Sequence, residues 1–255
     1  MYLIFSYIKF FFKSIKLHGV HSPFVYDLIN QCFKDKESYP EYKSLENYTK
    51  NLTHCKEILL VKEFGSGSRV FRSNKRKVSA IARHAAISNK RQQLLFRLTR
   101  FFNFQNTLEL GTSLGKATIA FALSKNNHVI SVEGCRATAS FTQKALKQAG
   151  CSNAEVIIEP FESFLNNKID NLIDCIYIDG NHTYKDTINY FQKLLPVIHN
   201  NSLMIFDDIY WSAEMQRAWK EIAAHPKVTV AIDTFQWGIV SFRKEQKKET
   251  FTIRL

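Results

Sequence analysis

The stretch Asn106 to Leu123, NTLELGTSLGKATIAFAL, decides the fold. Thr107 to Leu110 predict a buried strand and Gly111 to Gly115 a tight turn. Small and apolar residues at helical spacing from Lys116 onward predict a helix. The glycines are spaced Gly-x-x-x-Gly, unlike the Gly-x-Gly-x-x-Gly turn that brings a backbone close to a pyrophosphate. The stretch therefore predicts a nucleotide-like cofactor without phosphate.

A second anchor is Glu133, which follows the apolar segment His128 to Val132 roughly twenty residues beyond the glycine turn. At this spacing a doubly wound sheet places a carboxylate against ribose hydroxyl groups. Each feature alone has a simpler interpretation, because an acid after a strand can be a solvated turn and Gly-x-x-x-Gly can serve helix packing. Their order and spacing together favour a cofactor site.

The segment from Glu109 to Gly115 resembles the first motif, acid-x-Gly-x-x-x-Gly, of the class I S-adenosylmethionine-dependent methyltransferases. The resemblance implies a Rossmann-like, doubly wound α/β sheet, mostly parallel with a reversed C-terminal strand. It also implies S-adenosylmethionine as cofactor, with the turn at its methionine portion, Glu133 at the ribose and residues 159–162 near the adenine. The implied cofactor-binding residues are Glu109, Gly111, Thr112, Ser113, Gly115, Glu133, Phe161 and Asp179.

Length and composition fit one large α/β domain with an added segment, since 45% of the 255 residues are hydrophobic and 23% are charged. We predict an N-terminal helical extension with a loop covering the site over residues 1–84, and the methyltransferase domain over residues 85–255. The resemblance implies that Ser88 to Gln92 approach the cofactor. Five scattered cysteines without a Cys-x-x-Cys pair predict neither a zinc site nor a disulfide framework, which favours a cytoplasmic location.

The net charge of +12 is unevenly distributed, and no acidic residue precedes Asp27. Apolar side chains at helical spacing over residues 3–15 are interleaved with Lys9, Lys13 and Lys16, which predicts a basic amphipathic helix. Such a helix can lie on an anionic membrane. It can also pack on the catalytic domain or on a second copy in a homodimer, which is the more common use of such a face. Peripheral attachment to the inner membrane face therefore stays open.

Two features near the N-terminus have alternative interpretations. His18 and His21 could ligate a metal, although two histidines at this spacing are more often hydrogen-bonded to the protein itself. Ser22 and Pro23 predict the start of a helix.

The glycine-serine turn at 65–68 could open a phosphate-binding helix. It is followed by a basic cluster, Arg72, Lys75, Arg76 and Lys77, which favours a loop over the cofactor site. This cluster lacks an aromatic-flanked recognition motif, so we do not expect nucleic acid as a partner.

Acidic residues follow two further predicted strands, Leu172 to Ile178 and Ser202 to Phe206. Ligands bind at the carboxyl ends of such strands, where Asp179, Asp207 and Asp208 would meet. Three carboxylates at one edge repel one another unless a cation compensates, and oxygen ligands suit Mg²⁺, Mn²⁺ or Ca²⁺. We therefore predict a divalent cation such as Mg²⁺ at these three residues. The alternative is that the first acid caps the next helix and the others hydrogen-bond the turn.

This constellation resembles the metal-assisted O-methyltransferases, including catechol and antibiotic-sugar enzymes. In these families the ion binds a substrate hydroxyl and lowers its pKa. The sugar-modifying relatives place a second acid two residues after the first ligand, where this chain has Asn181. His182 then becomes the candidate general base, because imidazole titrates near neutrality, and Asp179 joins it as the second catalytic candidate.

Two elements close the predicted domain. Trp211 to Ala224 predict a helix whose apolar side is either ordinary core or the floor of an acceptor pocket. The segments Val228 to Ile232 and Gly238 to Phe242 alternate in the pattern of a hairpin.

We predict an S-adenosylmethionine-dependent methyltransferase that acts on an oxygen of a small-molecule or lipid-linked acceptor. The alternative is a non-catalytic S-adenosylmethionine-binding or membrane-associated regulatory protein. A nucleic-acid methyltransferase is disfavoured, because Asp179 to His182 occupy the place of the Asn-Pro-Pro-Tyr or Asp-Pro-Pro-Tyr signature of amino-group enzymes.

Overall fold

A computed structural model describes residues 2–14, 21–65, 67, 70–167 and 169–255. Its α-helices, numbered in chain order, are α1 (Tyr2–Lys13), α2 (Pro23–Leu28), α3 (Pro40–His54), α4 (Val78–His84), α5 (Asn89–Phe102), α6 (Lys116–Ala122), α7 (Arg136–Gln148), α8 (Phe161–Phe164), α9 (Tyr184–Leu194) and α10 (Ala213–Ala224). A π-helical turn, Ile29–Phe33, follows α2, and a 3-10 turn, Leu195–Val197, follows α9. Its strands are β1 (Ile58–Leu60), β2 (Lys75–Lys77), β3 (Asn106–Leu110), β4 (His128–Val132), β5 (Ala154–Ile157), β6 (Ile173–Ile178), β7 (Ile198–Asp207), β8 (Val230–Asp233), β9 (Trp237–Ser241) and β10 (Glu249–Thr252).

The chain divides into two compact units. We call Met1–Lys34 with Lys168–Leu255 the terminal unit, and Asp35–Asn167 the central unit. The central unit contains the glycine turn and Glu133, and the terminal unit contains the predicted acids and His182. The predicted division after residue 84 stays a prediction.

The central unit contains the strands β3, β4 and β5, which pair in parallel in this order. The β3–β4 register runs from Asn106 opposite His128 to Leu110 opposite Val132. All seven residues of α6 are buried, and α3 and α5 pack against this helix. Because parallel strands end at the same edge, the residues that follow β3, β4 and β5 lie side by side.

Residues 58–77 differ from the predicted loop, because β1 and β2 form an antiparallel pair in which Leu59 lies opposite Arg76. Both of these side chains are buried, and the Arg76 guanidinium forms an ion pair with Glu63. Most of the basic cluster is therefore part of a β-ribbon, and one of its cations is already neutralised. Ser66, Ser68 and Arg69 lie outside the described residues.

In the terminal unit, β6 pairs in parallel with β7, β9 is antiparallel to both β7 and β8, and β10 is parallel to β8. The predicted reversed strand and hairpin are confirmed, and β10 adds a strand that the sequence analysis did not predict. The tight packing of α10 on β9 requires Gly238, since a Cβ there would lie 2.4 Å from a ring carbon of Trp219. The helix α10 begins at Ala213, two residues later than predicted, because Ser212 caps it.

The N-terminal elements of the terminal unit follow the sequence pattern. The predicted amphipathic helix is α1, whose Phe10 packs near the rings of Tyr210 and Phe235. The predicted start of α2 is confirmed, with Ser22 as its N-cap and Pro23 in its first turn. Lys16 and His18 lie outside the described residues. No helix in the described part of the chain combines the length and the apolar character needed to cross a membrane.

Candidate active site

The glycine turn after β3 depends on left-handed backbone conformations. Gly111 has φ +111°, Ser113 +46° and Gly115 +72°. Carbonyl groups of the turn accept hydrogen bonds from the Thr142 hydroxyl at 2.7 Å and from the Tyr48 hydroxyl at 2.9 Å. The turn is therefore fixed by side chains of α7 and α3 as well as by its own glycines.

Replacement of Gly115 by alanine should lower the free energy of unfolding by about 2–4 kcal/mol. The backbone at this position is left-handed, which disfavours any side chain, and the added Cβ would also meet occupied space. That Cβ would lie 2.6 Å from Cγ2 of Thr142 and 2.8 Å from the Tyr48 hydroxyl. Urea unfolding measures the loss. Gly150→Ala is the matched control, because Gly150 has φ +79° with no atom within 4 Å of the added Cβ. Equal losses in both variants would contradict the packing argument.

Glu109 lies in the fully buried interior of the site and anchors the turn. Its Oε2 accepts hydrogen bonds from the hydroxyl groups of Thr118 and Ser131, each at 2.5 Å. The Ser131 hydroxyl lies 2.6 Å from the Thr112 hydroxyl. These contacts join β3, β4 and α6 beneath the turn. Direct contact of Glu109 or Thr112 with a cofactor stays a prediction.

Glu133 links the end of β4 to the glycine turn. Its Oε2 accepts the Ser113 amide at 3.0 Å, and its Oε1 accepts the Cys135 amide at 2.8 Å. A carboxylate has about four acceptor positions, and each of these two amides occupies a position on a different oxygen. The half-buried carboxylate is thus oriented at the edge where the parallel strands end.

Two aromatic side chains lie in the segments that follow β1 and β5. Phe64, in the connection after β1, covers Gly134, because a Cβ at that glycine would lie 2.7 Å from the Phe64 ring. The Lys62 amide donates a hydrogen bond to the sulfur of Cys135 at 3.3 Å and holds this connection against the end of β4. Phe161 follows β5 and is half-buried at the start of α8. The two rings are suited to contact a purine, although sequence reasoning missed Phe64.

Lys116 is a buried cation at the start of α6, where it is 5% exposed. Its ammonium donates a hydrogen bond to the Asn89 side chain at 3.1 Å, while its carbonyl accepts one from Gln92 at 2.9 Å. Burial, with a smaller contribution from Arg91, lowers the pKa of Lys116 to about 8. The helix dipole also disfavours a cation at this end, so an anion beside Lys116 would be stabilised. In the sequence, Lys116 is distinguished only as the first residue of the predicted helix.

His182 and Asp179 form a pair in the loop after β6. The His182 Nε2 lies 3.5 Å from the Asp179 Oδ1, and the imidazole lies 5.7 Å from the Trp211 ring. Asn181 and His182 have φ values of +61° and +45°, a conformation that costs energy and clusters at functional sites. Burial lowers the pKa of His182, but hydrogen bonding and charge from Asp179, with Asp208 and Asp207, outweigh it, so the net pKa is raised.

Asp207 is buried at the end of β7 and already has protein donors. The Tyr177 hydroxyl donates to its Oδ2, and the Asp208 amide donates to its Oδ1 at 2.7 Å. The predicted alternative, an aspartate that hydrogen-bonds its own turn, is therefore observed at Asp207. Thr183, and not Asp179, provides the cap of α9.

The described residues do not assemble a ligand set for the predicted divalent cation, because no group of three His, Cys, Asp or Glu side chains among them is placed to hold a metal ion. Asp179, Asp207 and Asp208 thus do not fit the three-ligand site as they stand. Protein groups already contact two of these carboxylates, since the Tyr177 hydroxyl donates a hydrogen bond to Asp207 and His182 lies 3.5 Å from Asp179. The cation stays a prediction.

A sequence profile described as a methyltransferase domain matches residues 108–209, from β3 to the residues just after β7. This region of the chain is a methyltransferase domain, which supports the predicted family, fold class and enzyme class. Among curated proteins, no relative matches this chain.

Solved structures similar to this chain show the same fold at low sequence identity. An O-methyltransferase from Bacillus cereus in complex with SAH has 18% identity and a TM-score of 0.58, covering 86% of this chain and 97% of its own. An SAH-bound methyltransferase from Podospora anserina has 13% identity and a TM-score of 0.61, covering 91% and 99%. TomG from Streptomyces achromogenes, an O-methyltransferase of tomaymycin synthesis in complex with SAM, has 19% identity and a TM-score of 0.54, covering 62% and 82%.

Proposed function

We propose that this methyltransferase transfers a methyl group from S-adenosylmethionine to an oxygen atom of a small-molecule acceptor. The observation that carries the proposal is the hydrogen bond from the Ser113 amide to the Glu133 carboxylate. It joins the glycine turn to the acid that is predicted to bind the ribose. The SAM and SAH bound in structures of the same fold, and the O-methyltransferase names of two of them, support both the donor and the type of acceptor.

The central unit holds the cofactor in this proposal. The turn from Gly111 to Gly115 receives the methionine portion, Glu133 binds the ribose, and Phe161 contacts the adenine. Phe64 adds a second ring beside Glu133, and the Lys116 ammonium attracts the carboxylate of the methionine portion. Burial disfavours the charged form of Lys116 and lowers its pKa to about 8. A carboxylate beside the ammonium group would stabilise that charged form.

Methyl transfer needs no covalent nucleophile, because S-adenosylmethionine supplies a methyl group bonded to a positively charged sulfur. The acceptor oxygen gains this methyl group as the sulfur–carbon bond breaks, and the oxygen loses its proton. His182 takes that proton as general base. Since its Nε2 faces Asp179, Nδ1 is the ring nitrogen that receives the proton, and the Asp179 carboxylate stabilises the imidazolium formed. Binding of the cofactor by Asp179 stays a prediction.

Turnover tests the proposal against the predicted alternative of a regulatory protein that binds the cofactor without reaction. The full chain is incubated with S-adenosylmethionine and a panel of phenols, catechols, sugars and lipid-linked alcohols, and S-adenosylhomocysteine release is measured with Mg²⁺ and with EDTA. We expect acceptor-dependent release in at least one mixture. Cofactor binding without release across the whole panel would favour the regulatory protein, and loss of release in EDTA alone would support the predicted cation.

The pH dependence of turnover should report His182. Only the neutral imidazole can accept a proton, and the raised pKa keeps His182 protonated above its ordinary value of about 6.5. We therefore expect kcat/KM to be low in acid and to rise with pH through the raised pKa. Asp179→Asn removes the largest stabilisation of the imidazolium, so its profile should rise at lower pH than the wild-type profile. Identical midpoints would exclude His182 coupled to Asp179 as the titrating base.

A further inference from the structure

The helix α1 presents an apolar face to solvent. Only Ser6 and Phe10 are buried among its residues. Ile4 is 66% exposed, Phe5 61% and Phe12 83%, although a 12-residue helix on a protein surface usually turns its polar side outward. Because removing such side chains from water is favourable, this exposure favours a partner surface.

The exposed apolar residues are contiguous around α1. At 100° per residue, Phe11, Ile4, Ile8, Phe12 and Phe5 follow one another over an arc of about 120°, and no polar residue falls between them. The arc lies opposite the buried Ser6 and Phe10, which attach α1 to the terminal unit. We call these five residues the outer face of α1.

Basic groups border the outer face. Lys9 and Lys13 lie on one flank of α1, and the Arg254 guanidinium lies 4.3 Å from the centroid of the Phe11 ring on the other. A groove of about 400 Å³ beside α1 is lined by Lys9, Lys13, Lys220 and Lys248, with Asp233 as its acidic residue. The surface thus combines an apolar stripe with a cationic rim.

We propose that the outer face of α1 docks the protein on the surface of an anionic lipid bilayer. The five apolar side chains enter the boundary between headgroups and acyl chains, and the lysines and Arg254 meet lipid phosphate groups. The helix is about 18 Å long, shorter than the hydrocarbon core of about 30 Å, so it lies along the interface. The proposal is independent of the proposed methyl transfer.

Charge favours a membrane over a second copy of the chain as the occupant. A twofold contact through the outer face would bring Lys9, Lys13 and Arg254 near the same cations of another copy. Like charges at an interface oppose association, and the net charge of the chain is +12. An anionic bilayer instead supplies the opposite charge along the whole rim.

Vesicle sedimentation with the full chain tests the proposal. Vesicles of phosphatidylcholine alone are compared with vesicles containing about a third phosphatidylglycerol, and we expect at least about ten-fold tighter binding to the latter. Ile4→Ser with Phe12→Ser should weaken that binding at least about ten-fold, and Lys9→Gln with Lys13→Gln about five-fold or more. Equal binding to both vesicle types, or full binding by the serine variant, would overturn the proposal.

The matched control is Leu60→Ser on β1, since Leu60 is 65% exposed but far from α1 in the chain and lies in the other unit. This variant should sediment as the wild type does. Analytical ultracentrifugation tests the other candidate occupant of the outer face, a second copy of the chain. A wild-type dimer that the Ile4→Ser, Phe12→Ser variant converts to monomer, without vesicle binding by either protein, would assign the outer face to a second copy and overturn membrane docking.

Discussion

His182→Ala should lower kcat by about 10²–10⁴-fold while leaving the affinity for S-adenosylhomocysteine unchanged. The variant removes the imidazole that accepts the acceptor's proton, and the alanine leaves Asp179, 3.5 Å away in the wild type, without its partner. Steady-state kinetics with an acceptor from the turnover panel, together with a binding titration, separates the two effects. A loss of affinity with unchanged kcat would assign His182 to binding.

The chain offers a matched control for this variant. His199 also pairs with an aspartate, with its Nε2 2.9 Å from Asp174, but this pair stands at the opposite ends of β6 and β7. His199→Ala removes a histidine–aspartate pair from the same two strands without touching the proposed base. We expect its kcat to be within about two-fold of the wild-type value. An equal loss in both variants would show that the His182 effect is structural.

Glu133→Ala should raise the dissociation constant of S-adenosylhomocysteine at least about 100-fold. Hydrogen bonds to a charged group contribute about 1.5–3 kcal/mol each, and the ribose offers two hydroxyl donors. The variant also leaves the amides of Ser113 and Cys135 without their acceptor, which loosens the glycine turn. Equilibrium dialysis with labelled S-adenosylhomocysteine measures the change.

Two further variants sharpen the Glu133 result. Glu133→Gln keeps the shape but turns one acceptor into a donor that faces an amide, so we expect an intermediate loss of about ten-fold. Glu155→Ala on the neighbouring strand β5 removes an exposed glutamate and should bind as the wild type does. If Glu155→Ala and Glu133→Ala lose affinity equally, general charge and not ribose recognition would account for the loss.

The fold elements predicted best are those whose signals are local. The apolar run His128–Val132 coincides with β4, and the chain after Gly115 forms α6 as its helical spacing predicts. The elements that were missed depend on distant partners. The ribbon of β1 and β2 has only three residues in each strand, and Leu59 must find Arg76 across a long connection. The edge strand β10 pairs with β8 in parallel, a contact without a local sequence signal.

The sequence predicts which residues follow the carboxyl ends of the strands, but it does not predict which side chains contact one another there. Tyr48 reaches the glycine turn from 66 residues away in sequence, and the Tyr177 hydroxyl meets Asp207 from the next strand. Neither pairing follows from spacing. The predicted cation rested on the number of carboxylates, whereas the hydrogen bond from Tyr177 to Asp207 and the pairing of His182 with Asp179 appear only in the folded structure. The positive φ of Asn181 and His182 is likewise a tertiary feature.

Calorimetric titration of the wild-type protein with S-adenosylhomocysteine, with Glu133→Ala beside it, tests the central claim most directly because it needs no acceptor. The account predicts one site per chain with a dissociation constant of roughly micromolar order, and no measurable binding by the variant at the same concentrations. Absence of heat from the wild-type protein, or equal binding by both proteins, would contradict a cofactor site built on the glycine turn and Glu133.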